Sequence, residues 1–78
     1  MNRFDDITIE SENDSWIVSA WDNEKEDTVS LRVGYWDLVS FAQEYYGMDR
    51  YEAIGHIGVC PEEEEDKLLK LLFVKKMT

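Results

Sequence analysis

The stretch TVSLRVGYWDLVSFAQEYYG (residues 28–47) changes its apolar period at Gly34. Before this glycine, apolar residues occupy every second position, which is typical of a strand with one buried face. After it, the spacing becomes helical up to Gly47, a residue that commonly follows the last turn of a helix. The apolar residues of this second half are Leu38, Val39, Phe41, Ala42, Tyr45 and Tyr46. The change of period predicts a strand followed directly by a helix.

Two more strands are predicted ahead of this stretch. FDDITIE (residues 4–10) alternates between apolar and polar positions, and WIVSAW (residues 16–21) is rich in aromatic and β-branched residues. The linkers SENDS (residues 11–15) and DNEKED (residues 22–27) carry the small polar and acidic residues of turns. Because both linkers are short, the three strands are expected to form an antiparallel meander.

Two further helices are predicted after Gly47. Asp49 with Glu52 resembles a capping box, so a short helix is expected in RYEAIGHIG (residues 50–58). The last segment, CPEEEEDKLLKLLFVKKM (residues 60–77), has acids early and lysines late, as the helix macrodipole favours. Its end, LLFVKKM (residues 71–77), is also compatible with an edge strand. The sequence therefore predicts an α+β fold: a three-stranded antiparallel β-meander followed by two or three helices packed on one face.

Length and cysteine content limit the class of protein. The 78 residues predict a single domain over residues 1–78, with the meander in 1–34 and the helices in 35–78. A lone cysteine, Cys60, cannot form an internal disulfide, which indicates a reducing, cytoplasmic setting. The first residues lack the pattern of a signal peptide, and no stretch approaches the ~20 apolar residues of a membrane span.

The net charge of −10, from 18 acids and 8 bases, is the strongest compositional signal. It argues against direct binding to nucleic acid or to an anionic membrane, because phosphate binding requires Lys and Arg. It favours a basic protein partner and rapid, salt-sensitive association. Residues 1–27 hold nine of the acids and only two bases, so the excess lies mostly in the first third of the chain.

Catalytic chemistry finds little support in this sequence. His56 and Cys60 are the only histidine and the only cysteine, and Gly58 and Pro61 predict that the second helix ends before it can place them on one face. We therefore expect no enzyme activity and no catalytic residue.

Metal and cofactor binding are not expected either. Zinc sites usually combine four Cys and His ligands, and His56 with Cys60 and either Asp49 or Glu52 would be a poor set. None of the four glycines has the spacing of a phosphate-binding loop.

Trp16 and Trp21 lie at opposite strand parity, so the sheet cannot bury both on one face. One of them is expected either to lie under the edge of a helix or to be exposed, and an exposed tryptophan beside carboxylates is typical of an interface. Acids on one strand face recur every ~7 Å and so imitate the regular charge of a nucleic-acid backbone. The predicted partner-binding residues are Asp6, Glu10, Glu12, Asp14, Trp16, Trp21, Asp22, Glu24, Glu26 and Asp27.

In size, acidity, α+β organisation and lack of catalytic residues, the chain resembles small phage- or plasmid-encoded inhibitors. These include anti-CRISPR, anti-restriction and uracil-glycosylase-inhibitor proteins, several of which imitate DNA. The resemblance covers composition and organisation only, and it implies a non-enzymatic inhibitor that occludes the basic nucleic-acid-binding surface of a target protein. The alternative is an interaction module, such as an immunity protein, an antitoxin or an assembly subunit, that binds through aromatic helix residues including Tyr45 and Tyr51.

Overall fold

Three strands are followed by three helices, and the predicted α+β fold is confirmed. A computed structural model describes residues 3–78, so the first two residues of the predicted domain lie outside the described part. The elements are β1 (Phe4–Glu12), β2 (Ser15–Asp22), β3 (Asp27–Gly34), α1 (Tyr35–Tyr46), α2 (Arg50–Val59) and α3 (Glu62–Met77). None of the helices within this range is long and apolar enough to cross a membrane.

The sheet is an antiparallel meander with β2 in the centre, as its aromatic and β-branched composition indicates. Glu12 pairs with Ser15 at one end, and Asp22 pairs with Asp27 at the other. The two turns therefore lie at opposite ends of the sheet. Asn13, in the first turn, has a φ of 51°, a left-handed conformation that asparagine tolerates better than most residues.

A β-bulge in β1 corrects the strict alternation expected for this strand. The register shifts between Asp5 and Thr8, and Asp6 has a φ of 53°. Without the shift, Phe4 would lie on the same side as Thr8, away from the core. With it, Phe4 is buried, and its ring packs edge-on against that of Phe73, with centroids 5.1 Å apart. Burial of this aromatic ring offsets the cost of the left-handed residue.

The core lies between one face of the sheet and the helices. The sheet contributes Phe4, Val18, Ala20 and Val33, which are buried. The helices contribute Leu38, Val39, Phe41, Ala42, Ala53, Ile57, Leu68, Leu69, Leu72 and Phe73. α1 packs against β3 and α2, and α3 packs against β1 and β2. The helices therefore cover a single face of the sheet.

The helix ends follow the capping signals of the sequence. Gly47 has a φ of 67° after α1, a left-handed conformation that glycine adopts without steric cost. The Asp49 side chain accepts a hydrogen bond of 2.8 Å from the backbone N–H of Glu52 and so caps α2.

The extents of α2 and α3 agree closely with the helices predicted from the sequence. α3 continues through Met77, so residues 71–77 are not an edge strand, because Leu68, Leu69, Leu72 and Phe73 form one buried helical stripe. α2 ends at Val59, one residue beyond the predicted range and, as predicted, ahead of Cys60 and Pro61. The two exposed glycines of α2, Gly55 and Gly58, each cost the helix only about 1 kcal/mol, which the packing of its other residues outweighs.

Candidate protein-binding face

The face of the sheet opposite the helices is uncovered, and we call it the outer face. Its strand register defines its members, since paired residues on neighbouring strands point to the same side. They are Asp5, Thr8, Glu10, Glu12, Ile17, Ser19, Trp21, Thr28, Ser30 and Arg32. The outer face thus combines two large apolar side chains with a group of small hydroxyl residues and a row of acids on one edge.

Trp21 is the largest side chain of the outer face and remains 40% exposed. It lies between Asp5 on β1 and Thr28 on β3. The expectation from strand parity is confirmed, because Trp16 lies on the core side, where it is half-buried against the hydrophobic cluster. Trp16 is therefore removed from the predicted partner-binding set, while Trp21 stays in it.

The centre of the outer face carries short side chains, and a hydrogen bond between two strands holds them in place. The hydroxyl groups of Ser19 and Ser30 share a hydrogen bond of 2.9 Å between β2 and β3. Next to this pair, Ile17 is half-buried between Glu10 and Arg32. Short side chains here leave the Trp21 ring accessible from solvent.

The acids of the outer face lie along β1, an edge strand of the sheet. Glu10 is exposed, and so is Asp6 at the bulge. Within residues 3–78, the ion pairs involve neither of these carboxylates. Glu12 is partly compensated, because its carboxylate lies 3.7 Å from the Arg32 guanidinium. This edge therefore presents negative charge that the chain itself leaves largely unneutralised.

Asp5 belongs to this acidic edge, although the sequence pattern did not single it out. Strict alternation places Asp5 with Ile7 on the core side, and the bulge at Asp6 turns it to the outer face beside Trp21. Its carboxylate accepts a hydrogen bond of 2.7 Å from the side-chain amide of Asn23. Only the position of the bulge would have revealed it.

Asp22 is a correction to the predicted set, because it is fully buried. Arg3 donates two hydrogen bonds to its carboxylate, and the backbone N–H groups of Glu24 and Lys25 donate to Oδ1 at 2.9 and 3.3 Å. The hydrogen bonds from Arg3 hold the pKa of Asp22 below its usual value, against the opposing effect of burial. Asp22 therefore shapes the turn and is not available to a partner.

The other acids of DNEKED are exposed but have different surroundings. Glu24 pairs with the same Arg3, at 3.1 Å, while Asp27 accepts a hydrogen bond of 2.8 Å from the N–H of Thr28. Glu26 is exposed and has a φ of 53°. Asp14 is also exposed, but it lies in the turn at the far end of the sheet. The predicted acids therefore do not form one continuous strip, and the acid paired directly with Trp21 is Asp5 on β1.

A second exposed surface lies on the helices and is aromatic. Trp36, Tyr45 and Tyr51 are 56%, 47% and 86% exposed. The Arg50 guanidinium lies 4.7 Å above the Trp36 ring, which links the start of α2 to the start of α1. The alternative prediction, contact through aromatic helices, thus has a physical surface as well.

One cluster of potential metal ligands went unrecognised in the sequence. The ligand atoms of His56, Cys60 and Glu64 all lie within 4.8 Å of one another. The sequence prediction ended α2 before Cys60, as the structure does, but overlooked that the C-cap position still keeps Cys60 close to His56. Glu64 belongs to an acidic run that a helix start explains by itself. The signal available was the regular spacing of four residues between these three positions.

No protein family, curated protein sequence or solved structure matches this chain. The functional proposal for the outer face therefore depends on its residues, their exposure and their charge.

Proposed function

We propose that this protein is a non-enzymatic inhibitor that binds and occludes a basic, nucleic-acid-binding surface of another protein. The observation that carries the proposal is the exposed Trp21 on an uncovered sheet face, flanked by the acidic edge of β1. The cytoplasm, in a host cell if the protein is phage-encoded, is the proposed location.

Charge geometry supports a partner that ordinarily binds a phosphate backbone. Glu10 and Glu12 point to the same side of β1 and are two residues apart, so their Cα atoms are separated by roughly 7 Å. This regular spacing of negative charge along an extended chain is the feature that β1 shares with a nucleic-acid strand. A basic groove that tracks a nucleic-acid strand would meet a similar periodic charge on this edge.

Trp21 supports a protein partner in preference to a loose ionic association. Interface energy concentrates in a few central aromatic or Arg residues, which surrounding polar groups shield from water. Trp21 has that setting, with Asp5 on one side and hydroxyl residues on the other. The acids would accelerate encounter with a basic surface, while burial of the indole would slow dissociation.

The test uses immobilised protein and a nuclease-treated lysate, with separate elution by duplex DNA and by high salt. Glu10→Gln combined with Glu12→Gln should reduce the captured material that DNA displaces, and its association rate should fall most at low salt. Glu62→Gln combined with Glu63→Gln is the matched control, because it removes the same charge from exposed positions on α3. If both double variants captured equally less of the material that DNA displaces, the proposal that binding depends on the acidic edge of β1 would be contradicted.

A pair of tryptophan variants separates the two surfaces. Trp21→Ser should abolish capture, and Trp36→Ser should leave it intact. The opposite result would favour the second candidate function, an immunity protein, antitoxin or assembly subunit that binds through its aromatic helices. That candidate is supported by the exposure of Trp36 and Tyr51 and predicts binding that changes little with salt.

A further inference from the structure

His56, Cys60 and Glu64 meet at the elbow between α2 and α3. His56 lies in the last turn of α2, Cys60 is its C-cap, and Glu64 lies in the first turn of α3. The backbone N–H of Cys60 donates to the carbonyl of His56 at 2.8 Å, and that of Glu64 donates to the carbonyl of Pro61 at 3.0 Å. These hydrogen bonds fix the turn that brings the three side chains together.

The separations suit a small divalent ion. His56 Nε2 lies 3.5 Å from Glu64 Oε1, and the three ligand atoms lie within 4.8 Å of one another. Tetrahedral zinc, with bonds of about 2.0–2.3 Å to N, O and S, places its ligand atoms roughly 3.3–3.6 Å apart. The histidine and the carboxylate already have this spacing. Rotation of the Cys60 side chain that moves its sulfur by roughly 1 Å would bring all three ligand atoms to the spacing of a zinc site.

A second observation points to a ligand at this position. Within residues 3–78, Nε2 of His56 is the one buried side-chain polar atom that has no hydrogen-bond partner. Buried polar atoms almost always have a partner, because an unpaired one costs free energy. The carboxylate of Glu64 is near, but its approach to Nε2 does not have hydrogen-bond geometry. A metal ion bound to Nε2 would satisfy this atom.

Tyr46 orients two of the three ligands. Its hydroxyl donates a hydrogen bond of 2.7 Å to Glu64 Oε1, and its ring centroid lies 4.8 Å from that of His56. Such outer contacts restrict the rotation of metal ligands and are typical of functional metal sites. The Cys60 thiol makes only a weak contact of 3.6 Å, to the carbonyl of Ile57, so little holds it away from an ion.

We propose that His56, Cys60 and Glu64 bind one Zn²⁺ ion through imidazole nitrogen, thiolate sulfur and carboxylate oxygen. Imidazole and thiolate ligands select zinc over the hard cations Ca²⁺ and Mg²⁺. Binding converts the Cys60 thiol to a thiolate and releases its proton to solvent. Water fills the fourth position, and the ion links the end of α2 to the start of α3.

Co²⁺ is the probe for this site, titrated into metal-free, reduced protein. The wild type should bind one equivalent and develop the near-ultraviolet charge-transfer band of a thiolate–cobalt bond, and Zn²⁺ should displace it. Cys60→Ser should abolish the band. His56→Gln should weaken binding by roughly 100-fold or more, since even the loss of an outer-shell contact costs 10–100-fold. Tyr46→Phe should weaken it by about tenfold and retain the band.

Glu63→Gln is the control, since it removes a neighbouring exposed carboxylate that lies outside the cluster. Thermal unfolding gives an independent readout: Zn²⁺ should raise the midpoint of the wild type and of Glu63→Gln, but not that of Cys60→Ser. Co²⁺ binding without a thiolate band, or equal binding by Cys60→Ser and Glu63→Gln, would show an ion held by surface acids and would overturn the proposal.

Discussion

Arg3 donates two hydrogen bonds to the carboxylate of Asp22, from Nε to Oδ1 at 3.2 Å and from Nη2 to Oδ2 at 3.1 Å. The backbone carbonyl of Arg3 also accepts a hydrogen bond of 2.8 Å from the N–H of Asn23. These contacts join the residue ahead of β1 to the turn that follows β2. The first acid of DNEKED (residues 22–27) therefore stabilises the fold and is not free to bind a partner.

Asp22→Asn should destabilise the protein at neutral pH and change its response to acid. The Arg3 hydrogen bonds lower the pKa of Asp22 from its usual 3.8, so the carboxylate stabilises the fold above that value and loses this effect as the pH falls through the lower, folded pKa. The difference in unfolding free energy between wild type and variant should therefore shrink from about pH 5 towards pH 2.

Urea unfolding at several pH values measures this difference. Glu24→Gln is the matched control, because Glu24 contacts the same Arg3 but its side chain is 71% exposed, and its difference from wild type should stay small. If the difference in unfolding free energy between Asp22→Asn and wild type stayed constant over the acid range, the ionised Asp22 carboxylate would not be the source of this stability.

Glu26→Gly should stabilise the protein by about 0.5–1 kcal/mol. Glu26 has a φ of 53°, where a Cβ atom is sterically unfavourable and glycine is not. Glu26→Gln removes the same charge and keeps the Cβ, so it should not reproduce the gain. The shift in the urea midpoint measures both effects, and equal midpoints for the two variants would assign the change to charge.

Phe73→Ala should lower the unfolding free energy by about 3–5 kcal/mol, because a fully buried ring is removed from the contact with Phe4. Val74→Ala should change it by less than about 0.5 kcal/mol, since Val74 is 39% exposed. This contrast between neighbouring residues tests which side of α3 faces the core. Similar losses at both positions would contradict the orientation of α3.

Tyr46 should ionise late in an alkaline titration followed by phenolate absorbance. Burial, together with the hydrogen bond to Glu64, raises the pKa of Tyr46 to about 12. The neutral phenol therefore stabilises the fold fully below the usual pKa of 10.0, and this contribution is lost as the pH rises through about 12.

Tyr46→Phe should remove this late step, whereas Tyr51→Phe, at an 86% exposed position, should leave it in place. Loss of the late step in Tyr51→Phe, or its survival in Tyr46→Phe, would contradict the assignment.

Local signals in the sequence predicted most of the elements. The change of period at Gly34, the stop at Gly47 and the cap at Asp49 act within a few residues, so a pattern reveals them. The bulge at Asp6 depends on the packing of Phe4 against Phe73, which is distant in sequence. The alternating pattern of β1 alone cannot predict that contact.

The candidate site was predicted in part for the same reason. The parity of Trp16 and Trp21 correctly separated a core-side from an exposed tryptophan. Charge composition could not distinguish Asp22, which Arg3 neutralises from 19 positions away, from acids that remain exposed. Whether the remaining acids bind a partner stays a prediction.

The bulge in β1 has a consequence for self-assembly. A regular edge strand offers evenly spaced backbone groups that a second molecule can pair with, and this is a common route to aggregation. Asp6 interrupts that ladder, and the flanking carboxylates would repel an identical edge. Pairing of two copies of the protein through β1 is therefore disfavoured, and this edge should not promote aggregation.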